Sequence, residues 1–300
     1  MSVVTQTEGL GGPEVPEGGP PVAPAPRRRR RRRRTSRGTA VVSVVFLGIV
    51  ALVAVVPGIF APGDPSDMYP LRALHGPSGS IPLGADQYGR SILTLLIHGA
   101  RSAAFIGLTS VILATVVGGV LGLLAGYFGG WVDMLFSRIV DVLMCFPGVL
   151  LALLITAALG PSTRNVIIAV ALATLPGFAR IMRGQVLAVR SRLFIEAATA
   201  TGLPQRRIVI RYILPNAIAP IVVLATISVG VSIVLAASLS YLGVGPQAEV
   251  PDWGQLLASG QAYMGTAWWI STFPGLALTL TVIAVSLLGD WLRDRLDVST

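Results

Sequence analysis

Apolar residues along this chain fall into six runs, separated by polar stretches rich in Gly and Pro. The runs lie near residues 39–60, 102–124, 134–159, 165–182, 217–242 and 273–289. Each approaches or exceeds the ~20 residues that a helix needs to cross a ~30 Å hydrocarbon core. The pattern predicts an all-α polytopic membrane protein with six transmembrane helices. Between the first two runs, residues 61–101 read as an external loop. Its turn residues include Pro62, Gly63, Asp64 and Pro65, and a short helix is expected to begin near Arg90. Residues 243–272 read as a second external loop, with Trp253, Trp268 and Trp269 placed at the membrane–water boundary that tryptophan favours.

Within the spans, a few positions carry more than hydropathy. The second holds Gly107, Gly118, Gly119, Gly122 and Gly126, small residues that let helix backbones approach closely in lipid. The third holds Arg138 and Asp141, three residues apart on one helical face and able to pair there. Intramembrane charges mark functional sites. The alternative is that both sit close enough to the cytoplasmic end to reach the interface. The fourth span contains Pro176 and Gly177, a kink or a point of close packing.

Residues 183–216 form a polar segment between the fourth and fifth spans. Six arginines (183, 190, 192, 206, 207 and 211) face a single acid, Glu196. Good helix formers fill residues 192–201, and Gly202 follows where a helix commonly ends in the left-handed conformation. Pro204 suits the first turn of a second helix over residues 204–212, and Pro215 suits the start of the fifth span. The spacing predicts a helix–turn–helix elbow. Such an elbow can lie on anionic lipid or dock on a partner protein. The small residues around Glu196 and the lack of a long apolar stripe favour the partner.

Composition agrees with the membrane reading: 53% of residues are hydrophobic, 12% are charged and mean hydropathy is +0.74. The net charge of +9 is local. Without the nine arginines at 27–34 and 37, 14 basic residues balance 14 acidic ones. Residues 1–26 carry too few large apolar side chains to offset chain entropy and are expected to be disordered. Residues 1–38 thus form a basic tail, with no aromatic platform for nucleic acid beside it. The apolar run at 39–60 exceeds the 7–15 residues of a signal-peptide core, so it is expected to be a retained first helix. A twin-arginine address is not diagnostic, since any arginine run contains that pair. The positive-inside rule then places both termini in the cytoplasm. Every basic residue is Arg, so a standard phosphate-binding loop, which needs Lys, is excluded, and any ATP would bind another subunit. A lone Cys145 and the separated His75 and His98 give no disulfide or metal pattern. No acid or histidine cluster points to an enzyme.

Three motifs carry a family resemblance. Glu196-Ala197-Ala198, then Gly202, then Ile213-Leu214-Pro215 resembles the EAA loop of integral membrane subunits of bacterial ABC importers, with Tyr212 at the usual first isoleucine. IPLGADQYGRSIL resembles the HPLGTD…GRD segment of the dipeptide, oligopeptide and nickel permeases. The stretch from Trp253 through FPGLALTL to LLGDWLRDRLD resembles their C-terminal region, with Val298 where a Pro closes the pattern. The resemblance implies a type I ABC importer-like permease: a core over residues 102–293, a coupling loop over 190–215 and a C-terminal tail over 294–300. It implies a second permease subunit as heterodimer partner, two cytoplasmic ATPases holding ATP and Mg²⁺, an external solute-binding protein, and the bacterial inner membrane. This chain itself is expected to be non-catalytic and to bind no cofactor. Glu196 would make polar contacts across the ATPase cleft, Ala197 and Ala198 allow close approach, Gly202 sets the bend and Leu214-Pro215 the exit. Dipeptide, oligopeptide, nickel and other solutes all remain open as cargo. The rival class is a secondary transporter or channel subunit uncoupled from ATP; it predicts mid-membrane ionisable groups or broken helices and an internal repeat, which the sequence does not display.

Overall fold

A computed structural model describes residues 37–61, 63–246 and 251–296. The expectations for the arginine-rich tail before residue 37 and for residues 297–300 lie outside this range. The described chain is helical, with one isolated bridge between Ala85 and Ser91. Its helices are α1 (Arg37–Val55), α2 (Pro57–Phe60), α3 (Ile92–Phe128), α4 (Gly130–Met144), α5 (Gly148–Leu159), α6 (Thr163–Arg190), α7 (Leu193–Ala200), α8 (Gln205–Ile208), α9 (Leu214–Tyr241), α10 (Trp253–Gln261) and α11 (Trp269–Arg295). A π-helical turn, Val209–Ile213, joins α8 to α9.

Five of the helical segments are long and apolar enough to cross a membrane, and a sixth crossing arises if α4 and α5 count together. The run at 134–159 is therefore not one straight span: α4 and α5 bend by 92° around Cys145–Pro147. Pro147 has no N–H to continue the ladder and disfavours the α conformation at Phe146 before it. α3, α6, α9 and α11 extend beyond their predicted spans at one or both ends, whereas the first span, expected over 39–60, breaks at Val56: α1 ends at Val55 and the short α2 follows. The second span begins at Ile92, capped by the Ser91 side chain, so the short helix expected from near Arg90 is the first part of α3 and continuous with the span. Hydropathy marks the lipid-crossing part of a helix, while capping and packing set its ends.

Close backbone approach explains how the centre is built. A Cβ at Gly118, Gly122 or Gly126 would stand 2.8, 2.3 and 2.9 Å from the carbonyl oxygens of Leu175, Ala179 and Arg183. Ser110 donates to the carbonyl of Ile167, again 57 residues on. That constant offset means α3 and α6 run parallel in register from residue 110 to 126. Parallel neighbours need a return pass between them, which the bent α4–α5 pair supplies. α9 packs antiparallel to α11, with Gly289 against Ile227 and Gly230 against Val282 and Val285. An apolar groove of about 700 Å³ opens between α3 and α9, Thr115 and Thr226 being polar groups in its lining.

The molecule has two chemically distinct ends. At one, a cap forms from residues 61–91, α10 and the start of α11. Buried Asp86 accepts hydrogen bonds from the backbone N–H groups of Tyr88 and Arg90 and pairs with the Arg90 guanidinium at 2.7 Å. Gly89, at φ +78°, lies so close to Tyr69 that a Cβ would stand 1.9 Å from its carbonyl oxygen. Trp269 donates its indole N–H to the carbonyl of Ala85, and Trp253 donates to Leu96. Two of the three tryptophans expected at the membrane boundary are thus buried clamps, and only Trp268 is exposed. The opposite end holds the C-termini of α3 and α6, the start of α9, and both the start of α1 and the end of α11, where Ala40 and Val41 adjoin Trp291 and Arg295.

Candidate functional site

The elbow at that second end is built from α7, a tight turn and α8. α7 is amphipathic on a small scale. Ile195 and Ala198 are buried in a core with Val186 and Val189 of α6, Val140 of α4 and Ile208, Ile213 and Ala217 beyond the turn. Glu196 and Ala197 occupy the opposite, exposed face, flanked by Leu193 (81% exposed) and Phe194.

The turn closes by backbone geometry. Gly202 takes φ +75°, Leu203 N–H donates to Ala198 and Gly202 N–H donates to Thr199. These are the two bonds of a Schellman motif, which satisfies carbonyls a helix end leaves open, and Leu203 packs against the core that contains Ala198. Pro204 precedes the second helix as its N-cap rather than occupying its first turn.

Beyond the turn, the second arm is not a separate short helix. Residues 205–241 form one continuous apolar span, so the fifth span begins at the turn and not at Pro215. Pro215 cannot donate to the carbonyl of Arg211 four residues back, and the π-helical turn falls where that bond is missing. Asn216 donates its amide to the carbonyl of Tyr212, and Leu214 is half-buried while Pro215 is exposed.

The arginines divide by role. Arg183 forms a two-pronged pair with Asp133 of α4, its Nη2 at 2.6 Å. Arg190 donates to the carbonyl of Tyr127 at 2.7 Å and lies over the Tyr127 ring. Arg206, Arg207 and Arg211 are exposed around an open basin that Ile210 also lines. The expected pair between Arg138 and Asp141 is corrected: Asp141 accepts from Arg180 of α6 at 2.7 Å, while Arg138 is exposed. Both α4 acids thus meet α6. Helical spacing along α4 could not select these partners; packing against α6 brings Arg180 and Arg183 to them. Tyr127 and Gln205, which the sequence left unremarked, meet at the base of the elbow, the Tyr127 hydroxyl donating to the Gln205 side-chain oxygen. Among the described residues no group of three or more His, Cys, Asp or Glu side chains converges.

Long apolar helices with a basic elbow at one end and a hydrogen-bonded cap at the other define a class, that of multi-pass integral membrane proteins. Residues 118–299 match the family described as binding-protein-dependent transport system inner membrane component. The chain belongs to that family and is the permease subunit of an ABC importer. Its relatives include the dipeptide transport system permease protein DppC of Alkalihalophilus pseudofirmus, 39% identical over 92% of this chain and 90% of that one. The glutathione transport system permease protein GsiD of Escherichia coli O157:H7 is 43% identical over 86% of each. The fold resembles an inward-facing MetNI methionine ABC transporter chain, with a TM-score of 0.57 over 67% of this chain and 96% of that one, at 20% identity.

Proposed function

We propose that the elbow is the joint through which two cytoplasmic ATPase subunits drive this permease, and that the cap end receives a short peptide from an external binding protein. The observation that carries the reading is the two-sided α7. Ile195 and Ala198 anchor it in the core, while Glu196 and Ala197 form an exposed ridge of small and acidic side chains at a turn fixed by Gly202. Such a ridge admits close approach of a partner groove, and Glu196 supplies the polar contact. Leu214 and Pro215 fix the exit of the second arm. ATP and Mg²⁺ sit on the ATPases, consistent with a chain that has no Lys for a phosphate loop.

The arginines support the orientation. Arg180, Arg183, Arg190, Arg192, Arg206, Arg207, Arg211, Arg293 and Arg295 lie towards the elbow end, against Arg72, Arg90, Arg101 and Arg164 towards the cap end. The positive-inside rule places the elbow and both described chain ends in the bacterial cytoplasm. A second, homologous permease completes the path as a heterodimer. Short peptides are the cargo class because relatives are named for dipeptides and for glutathione, itself a tripeptide.

The test places a cysteine at Ala197 in a Cys145→Ser background and crosslinks it in native membranes. The expected product joins this chain to an ATPase subunit, and labelled dialanine or glutathione enters only while that ATPase can hydrolyse ATP. Uptake that persists with every candidate ATPase deleted overturns the reading.

A further inference from the structure

The elbow is covalently continuous with α6 and α9, and α9 meets the cap directly, Ser240 donating to Asp252 and Gly254 lying against Ala237; α3 also runs from the cap to this end, but without a covalent link to the elbow. At 37 residues it spans about 55 Å. Its first turns carry Ile92, Leu95 and Gly99 beneath the cap tryptophans, and Trp253 lies against Gly99. Nothing in the chain's connectivity ties its far end to the elbow, whose residues lie more than sixty positions away in sequence. Tyr127, the penultimate residue of α3, makes that tie three times. Its carbonyl, one of those left open at a helix C-terminus, accepts from Arg190 at 2.7 Å. Its ring lies under the same guanidinium, 5.7 Å from the centroid. Its hydroxyl donates to Gln205. Arg190 is the last residue of α6, before the first arm, and Gln205 is the first residue of the second arm.

We infer that Tyr127 is a positioning residue that locks α3 to both roots of the elbow, so that displacement of the elbow carries α3, and the cap beneath which it starts, as one body. The inference rests on the proposed reading of the elbow as the site where the ATPases push. α3 and α6 are already wedged together by Gly118, Gly122 and Gly126, so a clamp at their shared end resists rotation rather than separation. The bond from Tyr127 to Gln205 is the one part that reaches the second arm, and it can be removed without disturbing the ring or the carbonyl.

The experiment uses the full importer, with partner permease and ATPases, in lipid nanodiscs. Nitroxide labels replace exposed Phe128 at the end of α3 and exposed Ile210 on the second arm, in a Cys145→Ser background. Their separation is measured without nucleotide and after trapping ATP with vanadate. In the otherwise unaltered chain the distance stays the same in both states. In Tyr127→Phe and in Gln205→Met, trapping shifts it by roughly 2 Å or more, the size of helix shifts at moving interfaces. The double variant shifts no further than either single one, because both remove the same bond. Gln205→Glu, which keeps an acceptor, behaves as the parent. A purely structural role would instead broaden both states equally. The inference is overturned if the parent distance changes on trapping, if Tyr127→Phe leaves it fixed, or if the two substitutions add. Crosslinking from Ala197 to an ATPase separates the two failures. If the crosslink forms and the clamp variants do nothing, only the clamp is wrong; if it does not form, the elbow reading falls first.

Discussion

At the scale of single residues, conformation and burial decide what each position tolerates. Gly202 has open space where a Cβ would go, so its requirement is purely one of backbone angle. Gly202→Asn, which tolerates the left-handed region, is expected to keep uptake, whereas Gly202→Val is expected to lose it while the chain still inserts. Equal uptake by the two variants would refute the role of that angle. Asp252 shows burial at work. It caps α10 by accepting from Gln255 N–H at 3.0 Å and also accepts from Ser240 at 2.5 Å, yet burial is the larger effect and pushes its carboxyl above the usual range. The native state therefore binds this proton more tightly than the unfolded chain. The group's stabilisation is fully present below the unfolded pKa of ~3.9 and is lost as pH rises through the folded value. Asp252→Asn keeps a capping oxygen and removes the titration. Its melting temperature in detergent should fall less than the parent's as pH is raised from acid to neutral.

At the scale of elements, the parallel pair of α3 and α6 is the centre of the molecule, and its spacing depends on which face each glycine occupies. Gly122 meets the carbonyl oxygen of Ala179, whereas neighbouring Gly119 meets only the flexible tip of Met182 at 3.6 Å. Gly122→Ala is expected to cost about 1–3 kcal/mol, as overpacking does, and Gly119→Ala to be tolerated. Thermal unfolding of the purified protein checks both, and equal effects would contradict the register. The sequence displayed Gly107, Gly118, Gly119, Gly122 and Gly126 alike. Which of them face α6 became legible only with the 57-residue offset. The same limit applied to Arg138 and Asp141: helical spacing placed them on one face, but packing turned Asp141 towards Arg180. By contrast the turn of the elbow was legible locally, since Gly202 acts through its own backbone, although the continuity of the second arm with α9 was not.

At the scale of the whole molecule, the two ends predict an asymmetric labelling pattern. In intact cells of a Cys145→Ser strain, cysteines replacing fully exposed Leu71 or exposed Met264 in the cap should react with a membrane-impermeant maleimide. Cysteines at Phe194 or Arg295 should react only after the cells are permeabilised. Reaction of both sets in intact cells would reverse or abolish the proposed orientation.

Hydropathy and motif spacing alone determined the class of this protein, the number of apolar runs, the turn at Gly202 and the family, because each depends on residues near one another in the chain. Tertiary structure decided the 92° break between α4 and α5, the continuity of the second arm with α9 and the burial of Trp253 and Trp269. It also decided the meeting of Tyr127 with both roots of the elbow. Those depend on which distant backbone or side chain arrives beside a given residue, and a pattern read along one chain carries no record of that.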